Sequence, residues 1–79
     1  MALQPTPELA EAGSYAHPQV QAILPFFGFS HLPSKQQRVS VVFHDAALNL
    51  LQLGLNGPEL TTALRKLLES KDAAVRASL

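Results

Sequence analysis

Residues 54 to 58 read GLNGP, and they separate two long segments in which apolar residues recur at helical spacing. Gly54 is placed to end the first segment, because glycine readily takes the backbone conformation found just past a helix end. Pro58 suits the first turn of the second segment, where a missing N–H group costs nothing. The stretch therefore predicts an all-α fold built on two helices of about 20 residues, or about 30 Å, paired as an antiparallel hairpin.

The first helix is predicted to begin at Ser34, because Ser34 and Gln37 have the spacing of a capping box. One apolar stripe follows at helical spacing, formed by Val39, Val42, Phe43, Ala46, Leu50 and Leu53. A second apolar set lies well away from that stripe and consists of Val41, Ala47, Leu48 and Leu51. A helix that is apolar on two faces is buried on two sides, yet a chain of 79 residues supplies only one internal partner helix. We therefore expect copies of the chain to assemble into a homo-oligomer.

The second helix is predicted to run from Pro58 to about Ala77. Its apolar stripe consists of Leu60, Leu64, Leu67, Leu68, Ala74 and Val75, and its opposite side of Arg65, Glu69, Asp72 and Arg76. Lys71 projects on the apolar stripe, where a cation is costly unless its head group reaches water or an anion. Two interpretations follow: a lysine that extends to water near an open end of the hairpin, or one of several copies around a central anion.

The N-terminal third carries weaker signals. Residues 1–17 are expected to be poorly ordered or to form one short element. Residues 18–33 are expected to form a short helix ended by Pro25 and then a segment rich in aromatic residues and proline. Gly28 and Pro33 interrupt regular secondary structure from Phe26 onward, which predicts an irregular, partly extended chain. With the hairpin at 34–79, residues 1–79 make one domain.

Composition excludes several classes of protein. The chain has no cysteine, and six basic residues balance six acidic ones, which disfavours disulfides, thiolate metal sites and general binding to nucleic acid or membrane surfaces. It shows neither a secretory signal nor an apolar run of roughly 18 residues, so a cytoplasmic protein is expected. His31 and His44 lie too far apart in sequence to predict a metal site. Ser30, His31 and Asp45 do not make a convincing catalytic set, so no enzyme activity or cofactor is predicted.

Residues 26–35, FFGFSHLPSK, concentrate the chemistry of the chain. No acidic residue occurs between Ala12 and His44, so the surroundings of Lys35 and Arg38 should be electropositive. A helix N-terminus with a lysine and an arginine is suited to hold phosphate. The rings of Phe26, Phe27 and Phe29, with Tyr15 upstream, could stack on a nucleobase. The alternative is that the phenylalanines pack the hairpin or a subunit interface and that the two cations are simply solvated.

FSHLP at the start of one helix, with GPELTTALRKLLESKDAAVRASL at the end of the chain, resembles the small phage proteins that share the anti-CBASS/anti-Thoeris hairpin domain. The resemblance covers residues 26–79. It implies a sponge that binds cyclic oligonucleotide messengers of bacterial immunity without cleaving them. It further implies a compact homo-oligomer, typically a hexamer, with cyclic dinucleotides held between subunits and cyclic trinucleotides held in separate sites.

The resemblance also implies site residues. Family members use an N-terminal aromatic residue and a lysine just after the His-x-Pro motif; here Ser34 follows Pro33 directly, the lysine is Lys35, and Tyr15 is the candidate aromatic residue. The expected ligand-binding set is Tyr15, Phe27, Phe29, His31, Pro33, Lys35 and Arg38. Arg65, Lys71 and Arg76 are candidates for a second ligand site. Cyclic ADP-ribose isomers are a further candidate ligand class.

Two rival readings remain. A small helical regulator could bind a protein partner through its spare apolar stripe, with no nucleotide ligand. A DNA-binding module is disfavoured, because such a module expects a basic recognition helix and the basic residues of the second helix alternate with acids.

Overall fold

The structure is a computed structural model that describes residues 3–79, and over that range it is all-helical. Two short helices and one 3-10 turn precede two long helices: α1 (Pro7–Ala12), α2 (Pro18–Ile23), the 3-10 turn (Leu24–Phe27), α3 (Ser34–Gln52) and α4 (Pro58–Ala77). None of the helices in the described range is long and apolar enough to cross a membrane. The predicted all-α class is confirmed.

The bounds of the long helices agree with the prediction, but α3 is not started by a capping box. Pro33 occupies the cap position and no side chain caps the helix. Gln37 instead donates hydrogen bonds from Nε2 to the carbonyl oxygens of Leu32, at 2.6 Å, and Ser30, at 3.3 Å. Its amide therefore ties the preceding loop to the helix. At the other end Gly54 takes a positive φ of 73°, as expected for a glycine that terminates a helix.

The core draws on every element. α3 packs against α4, α1 packs against α3, and α2 packs against α4. The buried apolar side chains are Leu9, Val20, Leu24, Phe27, Ala47, Leu51, Leu60 and Leu64. Half of these come from the N-terminal third, so the short elements close the core that the two long helices alone would leave open.

The side of α3 that faces the core differs from the predicted stripe. The buried residues of α3 are Ser40, His44, Ala47 and Leu51. Within the predicted stripe, Val42 is 62% exposed and Leu53 is 70% exposed. The small side chains at 40 and 47 let α1 and the 3-10 turn approach this face closely, whereas hydrophobicity alone favours the neighbouring face.

The segment after α2 also differs from the prediction. Pro25 does not end the helical backbone, because the 3-10 turn runs through it to Phe27. The irregular segment begins at Gly28 rather than at Phe26. Upstream, a short helix does form: Oγ1 of Thr6 accepts a hydrogen bond of 3.3 Å from the Leu9 N–H and so caps α1. Expectations for residues 1 and 2 lie outside the described residues.

Candidate functional site

An open hollow of about 570 Å³ lies at the N-terminal end of α3. Its lining consists of Phe29, Ser34, Gln37, Arg38 and Val41. The hollow thus brings a half-buried aromatic ring, a guanidinium group and polar side chains together, all within a part of the sequence that lacks acids. Such a combination can accept a flat group against the ring and a negative charge beside the cation.

The ring of Phe29 is held by a buried histidine on α3. Phe29 and His44 meet edge to face, with ring centroids 5.1 Å apart and planes at 83°. His44 is held in turn on both ring nitrogens, since Nε2 lies 2.6 Å from Oγ1 of Thr6 and Nδ1 lies 3.0 Å from Oδ1 of Asp45. This support fixes the position of the aromatic ring relative to α3.

Lys71, on α4, contacts the backbone just before Phe29. The side chain is buried, and its ammonium group donates hydrogen bonds to the carbonyl oxygens of Phe26, at 2.5 Å, and Gly28, at 3.4 Å. Burial lowers the pKa of Lys71, and the nearby Asp72 carboxylate opposes that change in part. Lys71 therefore neither extends to water nor leaves its ammonium group available to a central anion within one chain. The structure satisfies this cation with backbone oxygens instead.

Lys35 and Arg38 are exposed near the first turns of α3. Within the described range, neither side chain belongs to an ion pair; there Lys66 pairs with Glu69, and the Asp45 carboxylate is hydrogen-bonded to His44. The positive end of the α3 dipole adds to their charge. The N-terminal end of α3 is therefore an electropositive surface with two cations that belong to no ion pair within the described range.

Tyr15 lies at the other end of α3. It is fully exposed and borders a hollow shared with Leu51 and Leu55, next to the α3–α4 connection. Since α3 spans 19 residues, or about 28 Å, one small ligand cannot touch both Tyr15 and Lys35 of the same chain. The predicted pairing of these two residues is not formed within one copy of the protein.

The other predicted ligand-binding residues also lie in different parts of the structure. Phe27 is completely buried in the core, so in this chain its ring packs the fold and offers no face to a ligand. His31 is exposed and borders a different hollow, beside Pro25 and residues 3–7. Pro33 is exposed and caps α3. Of the predicted ligand-binding set, the hollow at α3 gathers Phe29 and Arg38, with Lys35 exposed nearby on the same helix.

The second predicted site does not converge in one chain. Arg65 and Arg76 are exposed on the same side of α4, because 11 residues make about three turns, but they are about 16 Å apart along the helix. Lys71 is buried and bound to backbone oxygens. Any site that used all three side chains would need several copies and a different position of Lys71.

Three supporting roles were not predicted: those of Thr6 and His44, and the hydrogen bonds by which Gln37 ties the preceding loop to α3. The sequence signals were present, since Thr6 precedes a Pro-Glu pair typical of a helix start and Gln37 lies three residues after Ser34, in the first turn that follows Pro33. Across residues 3–79 no three His, Asp or Glu side chains are grouped so as to hold a metal ion. Comparison with known protein families, with curated proteins and with solved structures found no match to this chain.

Proposed function

We propose that this protein is a sponge that sequesters cyclic dinucleotides without cleaving them, with the hollow at the N-terminal end of α3 as one part of the site. The observation that carries the proposal is the position of the Phe29 ring beside Arg38, at a helix N-terminus in an acid-free stretch. The ring suits a nucleobase, and the cations and helix N-terminus suit a phosphate.

A complete site requires a second copy of the chain. Residues spaced seven apart lie on the same side of a helix. Lys35 and Val42 have this spacing, and so do the successive residues Val39, Ala46 and Leu53, so all five share one side of α3. We name Val39, Val42, Ala46 and Leu53 the outer stripe. The outer stripe runs from the end of α3 that carries Lys35 to the end near Tyr15. Two copies paired antiparallel along it would bring Tyr15 of one copy to the Lys35 end of the other.

This pairing also suits the ligand. A twofold axis across the outer stripe generates two equivalent sites, each with an aromatic residue from one copy and cations from the other. The cations at the start of one α3 would also lie near the negative end of the partner α3 dipole, which favours the antiparallel direction. In this proposal α3 and α4 form the antiparallel hairpin of each subunit, and three pairs form the hexamer that the resemblance implies. Its place of action is the bacterial cytoplasm.

Isothermal titration with cyclic di-AMP, cyclic GMP-AMP, cyclic tri-AMP and cyclic ADP-ribose isomers tests the proposal. We expect tight binding of at least one cyclic dinucleotide at about one ligand per chain, with the ligand recovered intact by chromatography. Binding of cyclic tri-AMP that does not compete with the dinucleotide would add the second site. Absence of heat across the panel, or recovery of a linear product, would overturn the proposal.

A second candidate function is a regulator that binds a protein partner. The observation that favours it is the exposure of Val42 and Leu53, since a large apolar surface on a helix can equally receive a partner helix. This candidate predicts a monomer or dimer with no response to any nucleotide. Mass measurement by light scattering, together with the titration, separates the two functions.

A further inference from the structure

Side chains of α3 and α4 contact the aromatic segment at residues 26–29 from two sides. On the α4 side, Lys71 donates to the carbonyl oxygens of Phe26 and Gly28 at 2.5 and 3.4 Å. On the α3 side, the buried His44 ring meets the Phe29 ring edge to face. Phe29 is the residue that joins this segment to the hollow beside Arg38. The backbone contacts and the ring contact therefore act on the same short piece of chain.

We infer that Lys71 is a positioning residue of the ligand site: by binding the Phe26 and Gly28 carbonyl oxygens, it sets the backbone that presents the Phe29 ring to the hollow. Lys71 itself is only 7% exposed and does not line the hollow. It acts through the segment and not on the ligand. The role in binding rests on the proposed function, whereas the hold on the segment does not.

The choice of side chain supports this inference. A buried ammonium group is a costly way to fill space, because burial removes it from water, as the lowered pKa of Lys71 reflects. A methionine would fill a similar volume at no such cost. What a methionine lacks is a donor for the carbonyl oxygens of Phe26 and Gly28. The lysine thus lowers the stability of the fold but fixes the backbone at Phe26 and Gly28.

Two amides report directly on this backbone. The Gly28 N–H donates to the Pro25 carbonyl at 3.3 Å, and the Leu32 N–H donates to the Phe29 carbonyl at 3.1 Å. Both bonds belong to the segment that Lys71 holds. Their hydrogen-exchange rates therefore measure how well the segment is fixed, independently of any ligand.

The test compares Lys71→Met with Lys66→Met, a matched change at an exposed lysine on the same helix. We expect amide exchange at Gly28 and Leu32 to be at least tenfold faster in Lys71→Met and unchanged in Lys66→Met, at equal helix content. We also expect the dissociation constant for cyclic GMP-AMP to rise at least tenfold in Lys71→Met, while its urea midpoint stays equal to or above that of the wild type. A merely structural lysine would lower the midpoint and the affinity together.

Equal exchange rates in Lys71→Met and wild type would overturn the inference, as would faster exchange with unchanged affinity in a chain that binds the dinucleotide. If the wild type binds no dinucleotide, the proposed function fails, and the exchange rates still decide whether Lys71 holds the segment. If Lys71→Met does not fold, acetylation of the wild type with acetic anhydride decides instead. Lys71 should then react at least tenfold more slowly than Lys66, and an equal rate would overturn the inference.

Discussion

The imidazole Nε2 of His44 lies 2.6 Å from the hydroxyl of Thr6, and this contact joins residues 38 positions apart. The same hydroxyl accepts the Leu9 N–H at the start of α1, so one oxygen both caps α1 and ties it to α3. The network is complete when the Thr6 O–H donates to Nε2 and the His44 Nδ1–H donates to Asp45, which assigns the proton to Nδ1. A polar contact thereby orders the N-terminal third on the core.

Replacement of Thr6 by alanine should destabilise the protein by about 2 kcal/mol, because it removes a helix cap and leaves a buried imidazole nitrogen without its partner. Urea unfolding followed by circular dichroism measures the change. Thr6→Ser keeps the hydroxyl and should unfold within about 0.5 kcal/mol of the wild type. Equal losses in Thr6→Ala and Thr6→Ser would show that the methyl group, and not the hydrogen bonds, stabilises this contact.

Replacement of Ser40 by alanine should stabilise the protein by about 1 kcal/mol. Ser40 is completely buried on α3, and its hydroxyl has no hydrogen-bond partner among residues 3–79. Alanine removes the unpaired polar atom, fits the same space and has the higher helix propensity. The control is Ser70→Ala on α4, where the serine is exposed and its hydroxyl donates to the Lys66 carbonyl, so the change removes no unpaired buried polar atom. A lower urea midpoint for Ser40→Ala would contradict the prediction.

The sequence predicted those features of the fold that depend on local signals. The GLNGP turn placed the end of α3 and the start of α4, and the alternation of charge along α4 placed its exposed side. Of the core face of α3, Ala47 and Leu51 belong to the predicted second apolar set, but Ser40 and His44 could not be predicted in this way. This face depends on Leu9 and Phe27, which reach α3 from short elements whose sequence patterns are weak.

The candidate site also combines features that the sequence predicted with features that it could not predict. Phe29 and Arg38 were predicted to act together, and they do share a hollow, because they are only nine positions apart and flank the start of α3. Tyr15 was grouped with them although the chain carries it to the far end of α3. Residue type cannot indicate that separation. The role of Lys71 was likewise hidden, since its partners are backbone oxygens that no sequence motif marks.

The stability of the protein relative to Lys71→Met should increase as the pH rises from 8 towards 10.5. Burial lowers the pKa of Lys71 below its ordinary value of 10.5, so over this window the unfolded chain binds more protons at this residue than the folded chain does. Stability rises with pH wherever the unfolded state binds more protons. Urea unfolding of both proteins at pH 8, 9 and 10.5 isolates the effect, since all other groups cancel. A constant or falling difference would contradict the lowered pKa.

A charge on the outer stripe should reduce the size of the assembly. Val42→Glu places a carboxylate at a position that is 62% exposed in one chain, so the monomer should lose less than about 0.5 kcal/mol. The same charge buried between two copies would be strongly unfavourable. Light scattering after gel filtration should show a lower mass at unchanged helix content. Thr62→Glu, at an exposed β-branched residue of α4, should leave the mass unchanged, and an unchanged mass for Val42→Glu would place the interface elsewhere.

Mixing two defective variants tests whether the site is shared between copies. Tyr15→Ala and Lys35→Ala should each weaken cyclic GMP-AMP binding at least tenfold without changing the mass of the assembly. After the two are unfolded in urea together and refolded, a random mixture across a twofold interface should contain about a quarter of its sites with both side chains intact. Titration should therefore recover tight binding at about a quarter of the wild-type stoichiometry. The control mixes Tyr15→Ala with the double variant Tyr15→Ala/Lys35→Ala, which can form no intact site. If the variants mix but binding does not return, Tyr15 and Lys35 do not meet across an interface, and the antiparallel arrangement is wrong even if each residue matters for binding.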